Sequence, residues 1–316
     1  MSTRPDVSII IPSKNDERVA VTLAAIGKQA TVLSYEVLVI DSSTGDNRPK
    51  VEALVRRGGG TYVFAEANVA QALRLGVEQA RADIVITVPA DAQPQPGWLT
   101  TLVGPVRSET ADWAAGPALW KRSHRTPVAY YFALRTDAFY RRVAKMSELP
   151  AALPGWNTAY RRSAVLGVGN FDGSLLSSED WDLHLRLKGA GHPGVYVPDA
   201  AILHDHPHTF RQLYRRERWY KRGQLRVARK HGQRIGLVEL ATPAAYTLLL
   251  LLIPLSFLHP WIMWATIGAW ALLILRQMAS GLAQKDPYFF ARPLLRLLEG
   301  VAGIAALRSE LLRRRT

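Results

Sequence analysis

Carboxylates stand at three places in this 316-residue chain where they could do chemistry. Asp41 follows the apolar run "YEVLVI" and opens "DSSTGDN", where an acid and small hydroxyl residues can hydrogen-bond a nucleobase or ribose. Asp91 stands alone after "IVITVP", ahead of the stiff turn "PQPGWL". A single carboxylate there suits a hard divalent cation, which would in turn neutralise a diphosphate. The third place is "SSEDWDLHLR", residues 177–186, which puts Glu179, Asp180 and Asp182 in one helical turn. The helix dipole favours acids there, and Ser177 or Ser178 is the expected cap. An acid of this turn that faced a cleft could take a proton from an attacking hydroxyl. Each place also has an ordinary structural use, since Asp and Ser are common turn residues and acids open many helices.

These acids need a frame that points them the same way. Strand-like runs at Val7 to Ile11, Glu36 to Ile40, Tyr62 to Phe64 and Ile84 to Val88 alternate with helical stretches. The helices are expected at Glu17 to Ala30, Arg48 to Arg57 and Val69 to Ala80. Such alternation predicts an α/β fold, a mostly parallel sheet with helices on both faces. Ligands of such sheets sit beyond the carboxyl ends of the strands, where Asp41 and Asp91 fall. From Asp112 to Pro154 the pattern is less regular. Its stretch "YYFALRTDAFYRRVAK" reads as an amphipathic helix facing a core, with a membrane-interface helix as the alternative.

The formal charge of +14 calls for an anionic partner: nucleic acid, a phosphate-bearing small molecule or a membrane face. The chain has no cysteine, which excludes disulfides, thiolate metal sites and cysteine nucleophiles. The start "MSTRPDVSIIIP" reads as a strand and not as a signal peptide, so a catalytic part is expected in the cytoplasm. Between Leu240 and Leu275 there is no Asp, Glu, Lys or Arg, a run nearly twice the ~20 residues of one bilayer crossing. Pro254 and His259-Pro260 interrupt it. Two spans, about 240–258 and 260–276, joined by a tight turn are expected, with a re-entrant hairpin or one long tilted helix as alternatives. Arginine-rich flanks on both sides place the two ends of the hairpin on the cytoplasmic face, giving a multi-pass inner-membrane protein. The segment Arg292 to Arg315 interleaves leucine with arginine and is expected to lie along that membrane surface. The basic residues gather beside the hydrophobic hairpin, which favours membrane contact over nucleic-acid binding.

Five motifs in order carry a resemblance: "VSIIIPSKNDE", "EVLVIDSSTGD", "ADIVITVPADAQPQPGWL", "WNTAYRRSAVLGVGNFDGSLLSSEDWDLHLRLKGAG" and "VYVPDAAILHDHP". Together, over roughly residues 6 to 232, the chain resembles the inverting family-2 glycosyltransferases of the GT-A fold. The resemblance implies transfer of a sugar from a nucleotide diphosphate donor to an acceptor hydroxyl, with a divalent cation, Mn or Mg, as cofactor. It implies that Pro12, Ser13, Asp41 and Ser43 hold the nucleoside. Asp91 matches the metal-binding acid of the family's DxD motif, and His204 a histidine that approaches metal or diphosphate. Asp180 matches the catalytic base, with Glu179 supporting it or touching the acceptor. Trp181, Arg218 and Trp219 would face the acceptor or the diphosphate. Two positions depart from the pattern. Pro89 stands where the first DxD acid belongs, which puts donor contacts in question, and Arg215 replaces the glutamine of processive members.

The domain expectation is therefore a GT-A region over 1–232, a transmembrane hairpin over 233–279 and a basic amphipathic tail over 280–316. The acceptor is expected to be lipid-linked or membrane-proximal, in cell-envelope glycan or glycolipid synthesis. The alternative is a catalytically reduced scaffold that keeps the fold and binds partners at the membrane. Pro89 favours that alternative, and the intact Glu179-Asp180 pair opposes it.

Overall fold

The computed structural model describes residues 4–233 and 237–312. In chain order the first elements are β1 (Val7–Ser13), α1 (Val19–Gly27), β2 (Tyr35–Asp41), α2 (Asn47–Arg57), β3 (Thr61–Phe64), α3 (Val69–Gln79), β4 (Ile84–Thr87) and β5 (Gln93–Pro94). There follow α4 (Trp98–Arg107), β6 (Trp113–Ala115), β7 (Ala118–Trp120), α5 (Pro127–Val143), β8 (Thr158–Arg161), α6 (Arg162–Gly167), α7 (Glu179–Gly189), β9 (Gly194–Tyr196) and β10 (Ile202–His204). Four long helices complete the chain: α8 (Phe210–Lys230), α9 (Leu237–Leu255), α10 (Pro260–Ala283) and α11 (Arg292–Leu312). Two compact units result, one from Met1–Lys121 and Thr136–Asp205, the other from Arg122–Arg135 and His206–Thr316.

The first unit holds a seven-stranded sheet in the order β3-β2-β1-β4-β8-β6-β9. Its pairings are parallel except those of β8, which runs against both β4 and β6. The strand β1, "VSIIIPS", is an unbroken apolar run because both sheet faces are covered. Its residues divide between two cores. Val7, Ile9 and Ile11 meet Leu23 and Ile26 of α1 with Trp98 and Leu102 of α4, while Ile10 meets Leu73 and Val77 of α3 with Leu183 and Leu187 of α7. Gly76 lets α3 lie close on the sheet, since a Cβ there would come within 2.3 Å of Ile10 Cγ2.

Beside the main sheet lies a three-stranded sheet, β5-β10-β7. The irregular middle stretch thus contains β6 and β7 as well as the expected helix, and β8 follows it. Within α5 the aromatic and aliphatic residues Tyr131, Phe132, Tyr140 and Val143 are buried, which is the core-facing outcome.

In the second unit Val128, Tyr131 and Phe132 of α5 form a small core with Leu213 of α8 and Leu295 of α11. Helix α11 buries Leu295, Ala302 and Ala306, leaves Leu294 exposed, and has its acids neutralised inside the unit. Glu299 takes Tyr131 and Arg135 of α5, and Glu310 takes Arg222 and Arg226 of α8. The arginines at 313–315 lie outside the described residues. Among the described residues α10 is the one helix long and apolar enough to cross a membrane. Its Trp264 and Leu272 are 66% and 71% exposed, and Phe257 in the turn before it is 86% exposed.

Candidate active site

The candidate residues of the first unit gather beyond the carboxyl ends of β1, β2 and β4. Parallel register pairs Ser13, the last residue of β1, with Asp41, the last of β2. Asp41 is fully buried, so its carboxylate needs partners. Ser43 Oγ donates to Asp41 Oδ1 at 2.7 Å, and Tyr62 OH donates to Oδ2 at 3.0 Å. Burial, then the Asp41 bond and charge, push the Tyr62 phenol up. Ser43 Oγ also accepts from Asn15 N at 2.7 Å, and Asn15 Oδ1 accepts from Thr44 N at 2.9 Å. The loops after β1 and β2 are thereby tied into one floor. Ser13 Oγ is buried there without a hydrogen-bond partner. Pro12 precedes it opposite Ile40.

Asp91 lies in a turn closed by the bond from Ala92 N to Pro89 O, 3.2 Å. Thr22 of α1 holds that turn from beneath, its hydroxyl 2.8 Å from both Ala90 O and Ala92 O. The small sheet brings up the histidine: β10 runs antiparallel to β5 with Ile202 opposite Pro94 and Leu203 opposite Gln93, and the same register carries His204 to the Asp91 turn. His204 Nδ1 is 2.9 Å from Asp91 Oδ1, and Arg18 Nη1 is 3.1 Å from Asp91 Oδ2. Burial raises the Asp91 carboxyl, but the His204 hydrogen bond and the charges of His204 and Arg18 outweigh it and hold it below the usual range. Asp91 therefore does not cap the following turn; its two oxygens face a histidine and an arginine.

The acids of α7 reach the end of β4 through one peptide. Thr87, the last residue of β4, donates from Oγ1 to Gly155 O, and Gly155 N donates to Asp180 Oδ2 at 2.8 Å. Asp180 Oδ1 accepts from Trp181 N at 2.7 Å. Only glycine fits at 155, because a Cβ there would sit 2.6 Å from Asp180 Cβ and 3.1 Å from Tyr160 OH. Beneath the pair, Tyr160 OH is 2.9 Å from His184 Nε2, and His184 Nδ1 is 3.2 Å from Ala151 O. Burial lowers the imidazole of His184, which stacks on Trp113 at 4.4 Å. Glu179 Oε2 is buried with no hydrogen-bond partner. Burial and then the Asp180 charge push its carboxyl up to about 8.

The expected serine cap is corrected. Ser178 stands at the N-cap in the left-handed region, φ 61, and makes no side-chain cap bond. Serine capping requires extended backbone at that position. The helix keeps the dipole-favoured acids of its first turn, with Asp182 bound to Arg186 at 2.7 Å.

The first unit thus joins Ser13, Asp41 and Ser43, then Asp91 and His204, then Glu179, Asp180 and Trp181. Arg218 and Trp219 belong to the second unit, on α8, where the Trp219 ring packs edge-on to Tyr220 at 4.9 Å. The sequence reading missed Arg18, Asp16, Asp205, Thr22, Tyr62 and Gly155. A lone arginine or threonine at a helix start carries no signal by type or spacing; only "NDER", a charged run directly after β1, could have drawn attention to Asp16 and Arg18.

Among the described residues no three His, Cys, Asp or Glu side chains form a metal cage. Asp91 and His204 supply two donors, one oxygen and one nitrogen. A set that includes an imidazole nitrogen suits manganese better than magnesium, whose ligands are oxygens, and two protein donors leave the remaining positions to substrate phosphates and water.

The chain is similar to known glycosyltransferases. A 165-residue stretch is 30% identical to the pre-mycofactocin glycosyltransferase of Mycobacterium tuberculosis, over 51% of this chain and 35% of that protein. The match thus spans about a third of the length of that relative. Glycosyltransferase AglE of Haloferax volcanii is 27% identical over 72% of this chain and 75% of its own. In three dimensions the chain is similar to the mannosyltransferase PcManGT of Pyrobaculum calidifontis, solved in complex with GDP-Man and Mn2+. The TM-score is 0.63 at 17% identity, over 96% of this chain and 88% of that one. The fold is accordingly GT-A. Residues 5–221 match the sequence profile described as glycosyltransferase like family 2, and the chain belongs to that family.

Proposed function

We propose that the protein is an inverting glycosyltransferase that moves a sugar from a nucleotide diphosphate to an acceptor hydroxyl. The observation that carries this reading is the convergence of Asp41, Asp91 and Asp180 from three separate segments at one end of the sheet, each fixed by named partners. The floor built by Pro12, Ser13, Asp41 and Ser43 takes the nucleoside, with the orphaned Ser13 Oγ awaiting a ligand partner. Asp91 and His204 would hold a divalent cation, Mn or Mg, which when bound offsets the charge that grows on the departing diphosphate. Mn2+ accompanies the sugar nucleotide in the solved mannosyltransferase.

Asp180 is the base. The Gly155 and Trp181 amides fix the plane of its carboxylate and leave a lone pair on each oxygen for the acceptor proton. Glu179, neutral below about pH 8, lies beside it and contacts the acceptor without adding a second charge to the pair. Attack from the face opposite the diphosphate inverts the anomeric centre. Trp181, Arg218 and Trp219 contribute to acceptor or diphosphate binding.

The chain is read as a multi-pass protein of the inner membrane with its catalytic region, 1–232, in the cytoplasm. The exposed apolar surface of α10 and the uncharged stretch before it support an anchor over 233–279, followed by the basic tail 280–316. An anchored enzyme of this kind acts on a lipid-linked or membrane-proximal acceptor, in cell-envelope glycan or glycolipid synthesis. The test is to screen nucleotide sugars for metal-dependent hydrolysis and for transfer to lipid acceptors with the wild type and Asp180→Asn. Loss of transfer by at least about a hundredfold with donor affinity retained is expected. Full turnover in Asp180→Asn removes it as the base, and a wild type that binds no nucleotide sugar favours the scaffold reading.

A further inference from the structure

Arg18 is the cation that the first unit places on its candidate metal acid. It stands at the N-cap of α1, directly after the loop that follows β1. Its guanidinium grips Asp16 with two bonds, Nε to Oδ1 at 2.8 Å and Nη2 to Oδ2 at 2.7 Å. The remaining nitrogen, Nη1, lies between two further carboxylates, 3.1 Å from Asp91 Oδ2 and 3.3 Å from Asp205 Oδ2. Asp205 follows His204, whose ring holds the other oxygen of Asp91. One guanidinium therefore meets three acids contributed by the β1–α1 loop, the turn after β4 and the end of β10.

The charges and the exposure of these groups differ in a telling way. The Asp91 side chain is 9% exposed and Thr22 pins its turn, so the acid is fixed. The Arg18 side chain is 53% exposed, so it can move without opening a core, given partners that replace its bonds to Asp16, Asp91 and Asp205. A guanidinium nitrogen at 3.1 Å from Asp91 Oδ2 and a divalent cation on that oxygen compete, because two positive charges at one carboxylate repel each other. A diphosphate offers the released fork two or more anionic oxygens, the geometry it binds best.

We propose that Arg18 is a displaceable cation: it closes the Asp91–Asp205 pair until a divalent cation arrives with a nucleotide diphosphate, and it then moves from the carboxylates to the diphosphate oxygens. This rests on the reading of Asp91 as a cation site. The exchange leaves a cation on Asp91 in both states and couples cation binding to donor binding, because the arginine gives up its carboxylates most readily when a diphosphate is there to receive it.

The experiment is a titration of the full-length protein in detergent with Mn2+ alone, reading the free ion by its electron paramagnetic resonance signal, then again with added GDP or UDP. Arg18→Ala is expected to bind Mn2+ about tenfold more tightly than wild type in the absence of nucleotide, with Arg18→Lys in between. The nucleotide should strengthen Mn2+ binding several-fold more in wild type than in Arg18→Ala. Asp91→Asn should lose the ion in either background. Unchanged or weaker Mn2+ binding in Arg18→Ala overturns the proposal, as an arginine that merely braces the loop would give, and so does an absence of Mn2+ binding in both proteins. Nucleotide-sugar turnover in wild type, lost in Asp180→Asn, keeps the proposed function standing in either case.

Discussion

At the scale of single residues, the Glu179-Asp180 pair shows how burial divides labour between adjacent acids. Asp180 receives two backbone N–H groups, whereas Glu179 Oε2 receives none, and burial with a neighbouring charge pushes Glu179 up to about 8. The native state then binds a proton more tightly than the unfolded chain. Stability from this group is complete below the unfolded value of about 4.5 and is lost as pH rises through about 8. Glu179→Gln, which keeps the neutral form at every pH, should flatten the fall in stability between pH 5 and 8; thermal melts across that range would show it. An unchanged slope would mean that Glu179 is charged in the folded protein. Asp91 has the opposite sign: its carboxyl is held low, so its contribution is present above the unfolded value and disappears as pH falls through the folded one.

At the scale of elements, two contacts decide where the acids point. Gly155 joins β4 to the first turn of α7, and a methyl there would meet Asp180 Cβ at 2.6 Å. Gly155→Ala should cost about 1–3 kcal/mol by overpacking. It should also lower the transfer rate more than donor affinity, which steady-state kinetics with varied donor would separate. Thr22 of α1 serves two carbonyls on either side of Asp91. Thr22→Val keeps the shape and removes the donor, leaving buried carbonyls unsatisfied at a cost of about 1–3 kcal/mol. Mn2+ affinity should fall with stability in that variant, in contrast to Arg18→Ala. Strand positions were readable from the alternation of apolar runs; β1, β2, β3 and β4 appear within two residues of the expected bounds. The helix expected at Glu17 to Ala30 is shorter than its pattern: α1 begins at Val19, after the Arg18 that meets the acid cluster, and ends at Gly27.

At the scale of the whole molecule, composition and structure divide the work differently. The charge of +14 looked like a surface for anions, yet several arginines of the second unit are spent inside it. Arg135, Arg222, Arg226 and Arg292 pair with Glu299, Glu310 and Asp286 within the unit. Removing one partner of such a cluster should be costly: Glu299→Leu takes the acceptor from Tyr131 and leaves Arg135 with Glu217 at 3.6 Å, and about 1–3 kcal/mol of stability should be lost, as a denaturation curve would record. The cysteine-free chain also permits a direct test of the anchor. Ser256→Cys, in the turn before α10, should react with a membrane-impermeant maleimide only from the far side of sealed vesicles if the hairpin crosses. Labelling from the cytoplasmic side would indicate a re-entrant loop.

The sequence by itself determined four strands of the main sheet and the order of the motifs, because short apolar runs and helical spacing are local properties, while the roles of Asp41, Asp91 and Asp180 came from the family resemblance. It also determined that an uncharged stretch follows the α/β region. Only the tertiary structure decided what those acids touch. Arg18 reaches Asp91 and Asp205 across more than seventy residues of chain, and His204 meets Asp91 through the register of β5 with β10. Hydrogen bonds and ion pairs between distant segments leave no spacing in the sequence, so the arginine on the candidate metal acid, the glycine beside Asp180 and the buried acids of α11 became visible only once the chain was folded.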